Sequence, residues 1–234
     1  ATNLIFSQIT VTGRIDLRLA HISGFGVGMF LSAIAVWICS MFDLQWHYQW
    51  FVIALICLVL TIPIISSPLE VGSEASIDQT SQSNKLSLGF VGISVGYFFF
   101  GFGYIIFGTF IAALAVNTPA LENIQHASWI LVGISAMPAI FIWQAISNLT
   151  GNHISLALSC FTCSIGILTL YFFDGIEASL FACIAYGIGV VGIVGLVLME
   201  GKIRHSGSIT FAVAFLTTTF SIGQMIGPYI SGLM

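Results

Sequence analysis

The sequence predicts an all-α protein, a polytopic transmembrane bundle of about seven helices. Three observations carry this. Charged residues are 6% of the chain and hydrophobic ones 58%, with a mean hydropathy of +1.06. A soluble domain is roughly a quarter charged, so a water-facing surface cannot be built from this composition. Apolar runs recur at the length of about 20 residues that a helix needs to cross the hydrocarbon core. All five Lys and Arg residues fall in alternate connections between those runs: Arg14 and Arg18 before the first, Lys85 between the second and third, Lys202 and Arg204 between the sixth and seventh. Basic residues concentrate in cytoplasmic loops, so the alternation gives an orientation as well as a class.

The segments read as roughly 22–42, 48–65, 87–116, 126–147, 154–173, 177–199 and 208–233. Such runs must be helices, because in lipid every backbone amide has to be satisfied within its own segment or in a closed barrel. Barrel strands would alternate over about ten residues, a pattern absent here. The first segment holds Gly24 and Gly28, one turn apart. The second opens at Trp46 and Trp50, interfacial aromatics, with Trp129 playing that part near the start of the fourth. The third is long enough to tilt. The fourth contains Pro138 and the seventh Gly227-Pro228, where a kink is permitted because proline frees a backbone carbonyl. The connections 42–47, 117–125 and 174–177 carry no Lys or Arg and take the outer side. The stretch 148–153 should be cytoplasmic yet has no basic residue, and its Asn148-Leu149-Thr150 sequon would face the wrong side for glycosylation.

The chain divides into 1–65, the end of an N-terminal helical part with two full helices; 66–87, a linker rich in Ser, Gln, Asn and Glu; and 88–234, five helices of a second part. Ala1 to Val11 lacks a basic signal-peptide region and reads as the tail of an earlier apolar segment, while the C-terminus ends inside one. The chain is thus expected to be a fragment with helices missing at both ends.

Several chemistries are disfavoured by what the segments contain. No basic patch supports nucleic-acid binding. Cys160-Phe-Thr-Cys163 has redox spacing but no electropositive setting, and all five cysteines lie in apolar segments, so neither thiolate chemistry nor disulfides are expected. Gly187-Ile-Gly189-Val-Val-Gly192 is a literal GxGxxG inside a continuous apolar run, without the strand before it that a dinucleotide site requires. No Asp, Glu, Lys or Arg lies deep in a segment. Four histidines (His21, His126, His153, His205) lie at segment ends and His47 in a loop, so no buried nucleophile pair, Schiff-base lysine or metal cluster forms. No catalytic residue, metal or cofactor is expected.

Neutral polarity remains. Tyr97, Gly101, Tyr104 and Gly108 recur at spacings that share one helical face, with Thr109 adjoining. Thr217, Ser221 and Gln224 form a second stripe, and Gln144 and Tyr186 are the other notable polar groups. Burial against a neighbouring helix with a hydrogen bond to backbone is one reading of each; lining of a substrate path is the other. Gln224 is the strongest functional candidate, because a full amide in mid-membrane is costly unless paired. The GxxxG pairs Gly24/Gly28, Gly92/Gly96 and Gly223/Gly227 read as tight packing seams or as sliding surfaces of a moving assembly.

Three stretches carry a family resemblance: His21-Ile-Ser-Gly-Phe-Gly-Val-Gly-Met-Phe-Leu-Ser32, Gly101-Phe-Gly-Tyr-Ile-Ile-Phe-Gly-Thr-Phe110 and Ser221-Ile-Gly-Gln-Met-Ile-Gly-Pro228. With the polar linker, they resemble the major facilitator superfamily, in particular its YbfB/YjiJ-like subfamily, over nearly the whole chain. The resemblance implies a partial major-facilitator fold, the segments being helices five to eleven of twelve, Ala1 to Gln8 the end of helix four and 66–87 the central cytoplasmic loop. It implies a bacterial inner-membrane carrier with its basic loops cytoplasmic, moving a small solute by alternating access, export included, with the bilayer and the missing N-terminal helices as its partners. Tyr97, Tyr104, Thr109 and Tyr186 would line the central cavity, joined by Gln144 and Gln224. Gly24, Gly28, Gly101, Gly108, Gly223, Gly227 and Pro228 would serve packing or gating. The family's basic signature between helices eight and nine is replaced here by Ser147-Asn-Leu-Thr-Gly-Asn-His-Ile154, in which only Gly151 conforms. A non-transporting membrane bundle, a subunit or receptor-like, is the alternative; an intramembrane enzyme is disfavoured by the missing nucleophiles.

Overall fold

A computed structural model describes residues 15–66, 86–117, 125–173, 175–205, 207 and 209–233. The expected N-terminal tail and most of the expected linker lie outside these residues. Seven helices follow in order: α1 Ile15–Met41, α2 Trp46–Ser66, α3 Leu88–Asn117, α4 Gln125–Thr150, α5 Asn152–Phe172, α6 Ile176–Arg204 and α7 Ile209–Gly232. Among the described residues, all seven are long and apolar enough to cross a membrane. The protein is an integral membrane protein of all-α class.

The helices overrun the expected segments at their polar ends. α6 continues through Glu200, Lys202 and Arg204, which the sequence placed at a segment end and in a loop. Helix continues here because Glu200 and Arg204 stand four residues apart and pair at 2.7 Å, an ion pair that the helical repeat itself creates. α4 and α5 likewise close up until only Gly151 separates them, at φ 90°, a left-handed conformation that glycine adopts without a Cβ clash. α7 runs through Pro228 to Gly232.

α6 organises the bundle. It contains the most apolar stretch of the seven helices and has the largest buried share. α5 and α4 pack along it, α1 packs on α4, and α3 pairs with α7. The glycines of the GxGxxG run explain the first two contacts: a Cβ on Gly187 would strike Val132 and Ser135 of α4, one on Gly189 would strike Cys163 of α5, and one on Gly192 would strike the Trp143 indole of α4. These are close helix approaches, the use to which membrane proteins put small residues. Polar side chains then lock the trio. Trp143 Nε1 donates to the Ile188 carbonyl at 2.9 Å, Ser155 Oγ to the Trp143 carbonyl at 3.0 Å, and Asn152 Nδ2 to the Leu196 carbonyl at 3.2 Å. Trp46 and Trp50 stand exposed at the start of α2, which packs chiefly on α1.

Candidate functional site

Tyr97, Tyr104 and Tyr186 come together in one aromatic cluster where α3 meets α6 and α7. Tyr97 stacks on Phe220 of α7 with centroids 4.7 Å apart, and Phe100 and Tyr104 also approach that ring at 5.8 Å. Tyr104 stacks on Tyr186 at 5.9 Å and 13°, and Phe107 closes on Tyr186 at 4.1 Å. Sequence spacing placed Tyr97, Gly101, Tyr104 and Gly108 on one face of α3, and this is the face the structure turns to its two neighbours. Gly101 lies against the Phe220 carbonyl; Gly108 lies beside the Trp129 ring and the Tyr186 hydroxyl.

Burial separates the three tyrosines. Tyr186 is fully buried and Tyr97 nearly so, whereas Tyr104 is half-buried. The Tyr186 hydroxyl donates to the main-chain carbonyl of Tyr104 at 2.9 Å, which satisfies a group that would be costly to leave unpaired in this interior. Tyr186 therefore ties α6 to α3.

The α7 stripe lies differently. Thr217 and Ser221 are exposed, and their hydroxyls fold back onto the carbonyls of Val213 and Thr217 at 2.8 and 2.9 Å. Gln224 is half-buried and makes no side-chain hydrogen bond among the described residues. The neighbouring Gly223 and Gly227 pack onto Phe98 and Phe102 of α3. Thr109 is exposed on α3. Gln144 stands apart from the cluster, bonded through Nε2 to Asn148 at 3.0 Å one turn along α4. Pro228 is half-buried on α7. Of the α1 glycines, Gly24 and Gly28 have no neighbour within 4 Å of a would-be Cβ; the close contact with α4, at Ala136 and Met137, falls on Gly26 between them.

A second polar group, absent from the sequence reading, gathers at the Arg204 end of α6. The Glu200 side chain is buried; its Oε1 accepts from Arg204 Nε at 2.7 Å and its Oε2 from Asn152 Nδ2 of α5 at 2.6 Å. Ser87, just before α3, donates from Oγ to the Arg204 carbonyl at 2.9 Å, so three helix ends are joined. His205 is buried between Phe90 and Phe211, and neither ring nitrogen has a partner among the described residues. The Glu200/Arg204 spacing was the available signal, because it is the spacing of a helical ion pair.

Among the described residues, no group of three His, Cys, Asp or Glu could hold a metal ion. The arrangement offers neutral aromatic and hydroxyl surface along the middle of α3, α6 and α7 and a charged tie at the Arg204 end of α6. The profile of a family described as "Uncharacterised MFS-type transporter YbfB" matches residues 1–234. No curated protein and no solved structure matches the chain.

Proposed function

The chain belongs to the family of MFS-type transporters described by the name YbfB, and from that premise we propose that it forms the wall of a secondary carrier for a small neutral or weakly polar solute. Transport proceeds by alternating access, the part containing α1 and α2 rocking against the part containing α3 to α7 around a site near the midplane. The carrier works without catalytic residues or a cofactor. It sits in the inner membrane of a bacterium, with the Arg204 end of α6 toward the cytoplasm.

The observation that carries this reading is the Thr217, Ser221 and Gln224 stripe. It leaves an amide and two hydroxyls unclaimed by the other described helices, on a helix whose adjoining side packs through Gly223 and Gly227 onto α3. A polar stripe is a poor lipid-facing surface and a suitable wall for a wetted path. Tyr104, the least buried of the three clustered tyrosines, supplies an aromatic surface beside it, since both helices meet at Phe220. Such walls suit a hydrophobic or weakly polar solute, in uptake or export, and offer no countercharge to an ion.

The test is accessibility. Cysteine is placed at Tyr104 and at Gln224, one at a time, in a background without the native cysteines. Water-soluble thiol reagents are expected to reach both, at rates that change when solute or an opposing gradient is supplied. Sites closed to reagent under every condition would overturn the reading and leave a static bundle.

A further inference from the structure

Three helix ends converge on His205. It is the first residue past α6, and its ring lies between Phe90 in the first turn of α3 and Phe211 in the first turn of α7, with centroids 5.0 and 5.3 Å away. Phe215 of α7 approaches both phenyl rings, at 5.7 Å from Phe90 and 5.8 Å from Phe211. The imidazole is thus one member of a closed cluster of four rings. It is 5% exposed, and neither ring nitrogen has a hydrogen-bond partner among the described residues. A neutral imidazole has one donor and one acceptor to satisfy, and leaving both unmade in an interior is costly. A phenylalanine would fill the same slot without that cost.

The property that histidine adds is a proton taken up near neutral pH. An imidazolium would bring a full charge and two N–H donors into this slot. α6 supplies the charged groups beside it: Glu200, Lys202 and Arg204. Glu200 is the one acid of the three, and its two oxygens are engaged by Arg204 and Asn152. The first turns of α3 and α7, Leu88 to Val91 and Ile209 to Ala212, contain no titratable side chain, and each presents the positive end of its helix dipole. The closing carbonyls of α6 are the negative partial charge at hand, and neither ring nitrogen bonds to one. The phenyl faces offer a cation–π attraction that is small beside the loss of water around a charge. The slot therefore fits the neutral ring and not the charged one.

The ring is part of a wider closure. Ser87 Oγ donates to the Arg204 carbonyl at 2.9 Å, the His205 amide donates to the Gly201 carbonyl at 3.0 Å, and Gly201 lies against Leu216 of α7 and near Phe90 of α3. Only four residues, His205 to Ser208, connect α6 to α7, so a ring that leaves the slot cannot move far without disturbing both helix ends.

We propose that His205 is a proton-operated latch on the Arg204 side of the membrane. Neutral, it holds the ends of α3, α6 and α7 together; protonated, it leaves the phenylalanine slot and lets α3 and α7 part from α6. The latch is closed above the range in which histidine titrates and is released as the pH falls through it, from about 8 to about 5. Acidity on that side of the membrane then favours opening of that end. The inference rests on the packing of the helix ends and holds whichever solute the protein carries.

Leu88 and Ile203 stand exposed at the ends of α3 and α6. The test places spin labels on Leu88→Cys and Ile203→Cys in the intact protein, without its native cysteines, in phosphatidylcholine nanodiscs. The distance between the labels, read by pulsed dipolar spectroscopy, is expected to lengthen as the pH falls from about 8 to about 5 and to recover on back-titration. His205→Phe keeps an aromatic ring in the slot and removes the proton site, so its distance is expected to stay short at both values. A second measurement needs no variant. Hydroxyl-radical footprinting of the unsubstituted protein is expected to modify His205 several-fold more at the lower pH. A parent distance that ignores pH, an equal response in His205→Phe, or a His205 protected at both values would overturn the proposal.

Discussion

Tyr186 and Tyr104 share one hydrogen bond across the middle of the bundle, from the hydroxyl of the first to the backbone carbonyl of the second, 2.9 Å long. The carbonyl belongs to α3 and the hydroxyl to α6, so the bond joins the helix paired with α7 to the helix that holds α4 and α5. The two rings also stack, and the contact is thus both polar and aromatic.

Tyr186→Phe keeps the stack and removes the bond. Interhelical hydrogen bonds in membranes contribute about 0.6–2 kcal/mol, so a loss of about 1 kcal/mol is expected. Tyr186→Ala also opens a cavity and should lose about 3 kcal/mol or more. Unfolding in mixed micelles measures both; equal losses would mean that the hydroxyl carries the whole contact.

Gly26 and Gly24 form a controlled pair. A Cβ at Gly26 would strike the α4 backbone at Ala136 and Met137, whereas one at Gly24 meets nothing. Gly26→Ala is expected to cost about 2 kcal/mol by forcing α1 off α4. Gly24→Ala should stay within about 0.5 kcal/mol of the parent, or gain slightly from helix propensity. The same unfolding measurement separates them.

Glu200→Ala removes the acceptor shared by Arg204 and Asn152. It leaves a guanidinium and a half-buried amide without that partner, and about 2 kcal/mol is the expected loss. Asn152→Ala retains the ion pair and should cost less. Thermal midpoints in detergent give the order, and the reverse order would show that the amide matters more than the ion pair.

Gln224→Leu tests the proposed wall. No side-chain hydrogen bond is lost among the described residues, so stability should shift by no more than about 0.5 kcal/mol. Solute flux through the intact carrier is expected to fall at least tenfold. A stability loss with unchanged flux would make Gln224 a packing residue.

Orientation has its own measurement. Cysteine at Lys202 should be protected from an impermeant maleimide in intact cells, and cysteine at Gln45, in the connection before α2, should be labelled. The opposite pattern would invert the assigned topology.

The seven helices were legible because a run of about 20 apolar residues has few alternatives in lipid. Their polar ends were not, because charge marks the limit of hydrocarbon and not the limit of helix: α6 carries Glu200, Lys202 and Arg204 within its last two turns. Glycine spacing was legible as a pattern and not as a contact. GxxxG on α7 lies on α3, yet GxxxG on α1 lies open and the intervening Gly26 takes the neighbour. Spacing marks which residues share a side of a helix, while the partner decides which side is used. The tyrosines were legible as a group, since Tyr97 and Tyr104 share a face, but their unequal burial depends on where α6 and α7 come to rest. The tie at Glu200, Asn152 and Ser87 joins residues far apart in the chain, which no local pattern records.

α6 combines the most apolar membrane-length stretch with the least exposure. A helix emerging from the translocon meets lipid before it meets later partners, and a single Asp or Lys at its centre costs about 2.5–3.5 kcal/mol at that moment. The apolarity of α6 is therefore a record of its passage into the bilayer and not of its final surroundings. Once enclosed by α3, α4 and α5 it touches little lipid, so a polar residue there could be satisfied in the finished protein and still be counted against the chain during synthesis. Substitutions in α6 are expected to reveal themselves first as failed insertion, in the amount of protein made, before any defect in what the protein does.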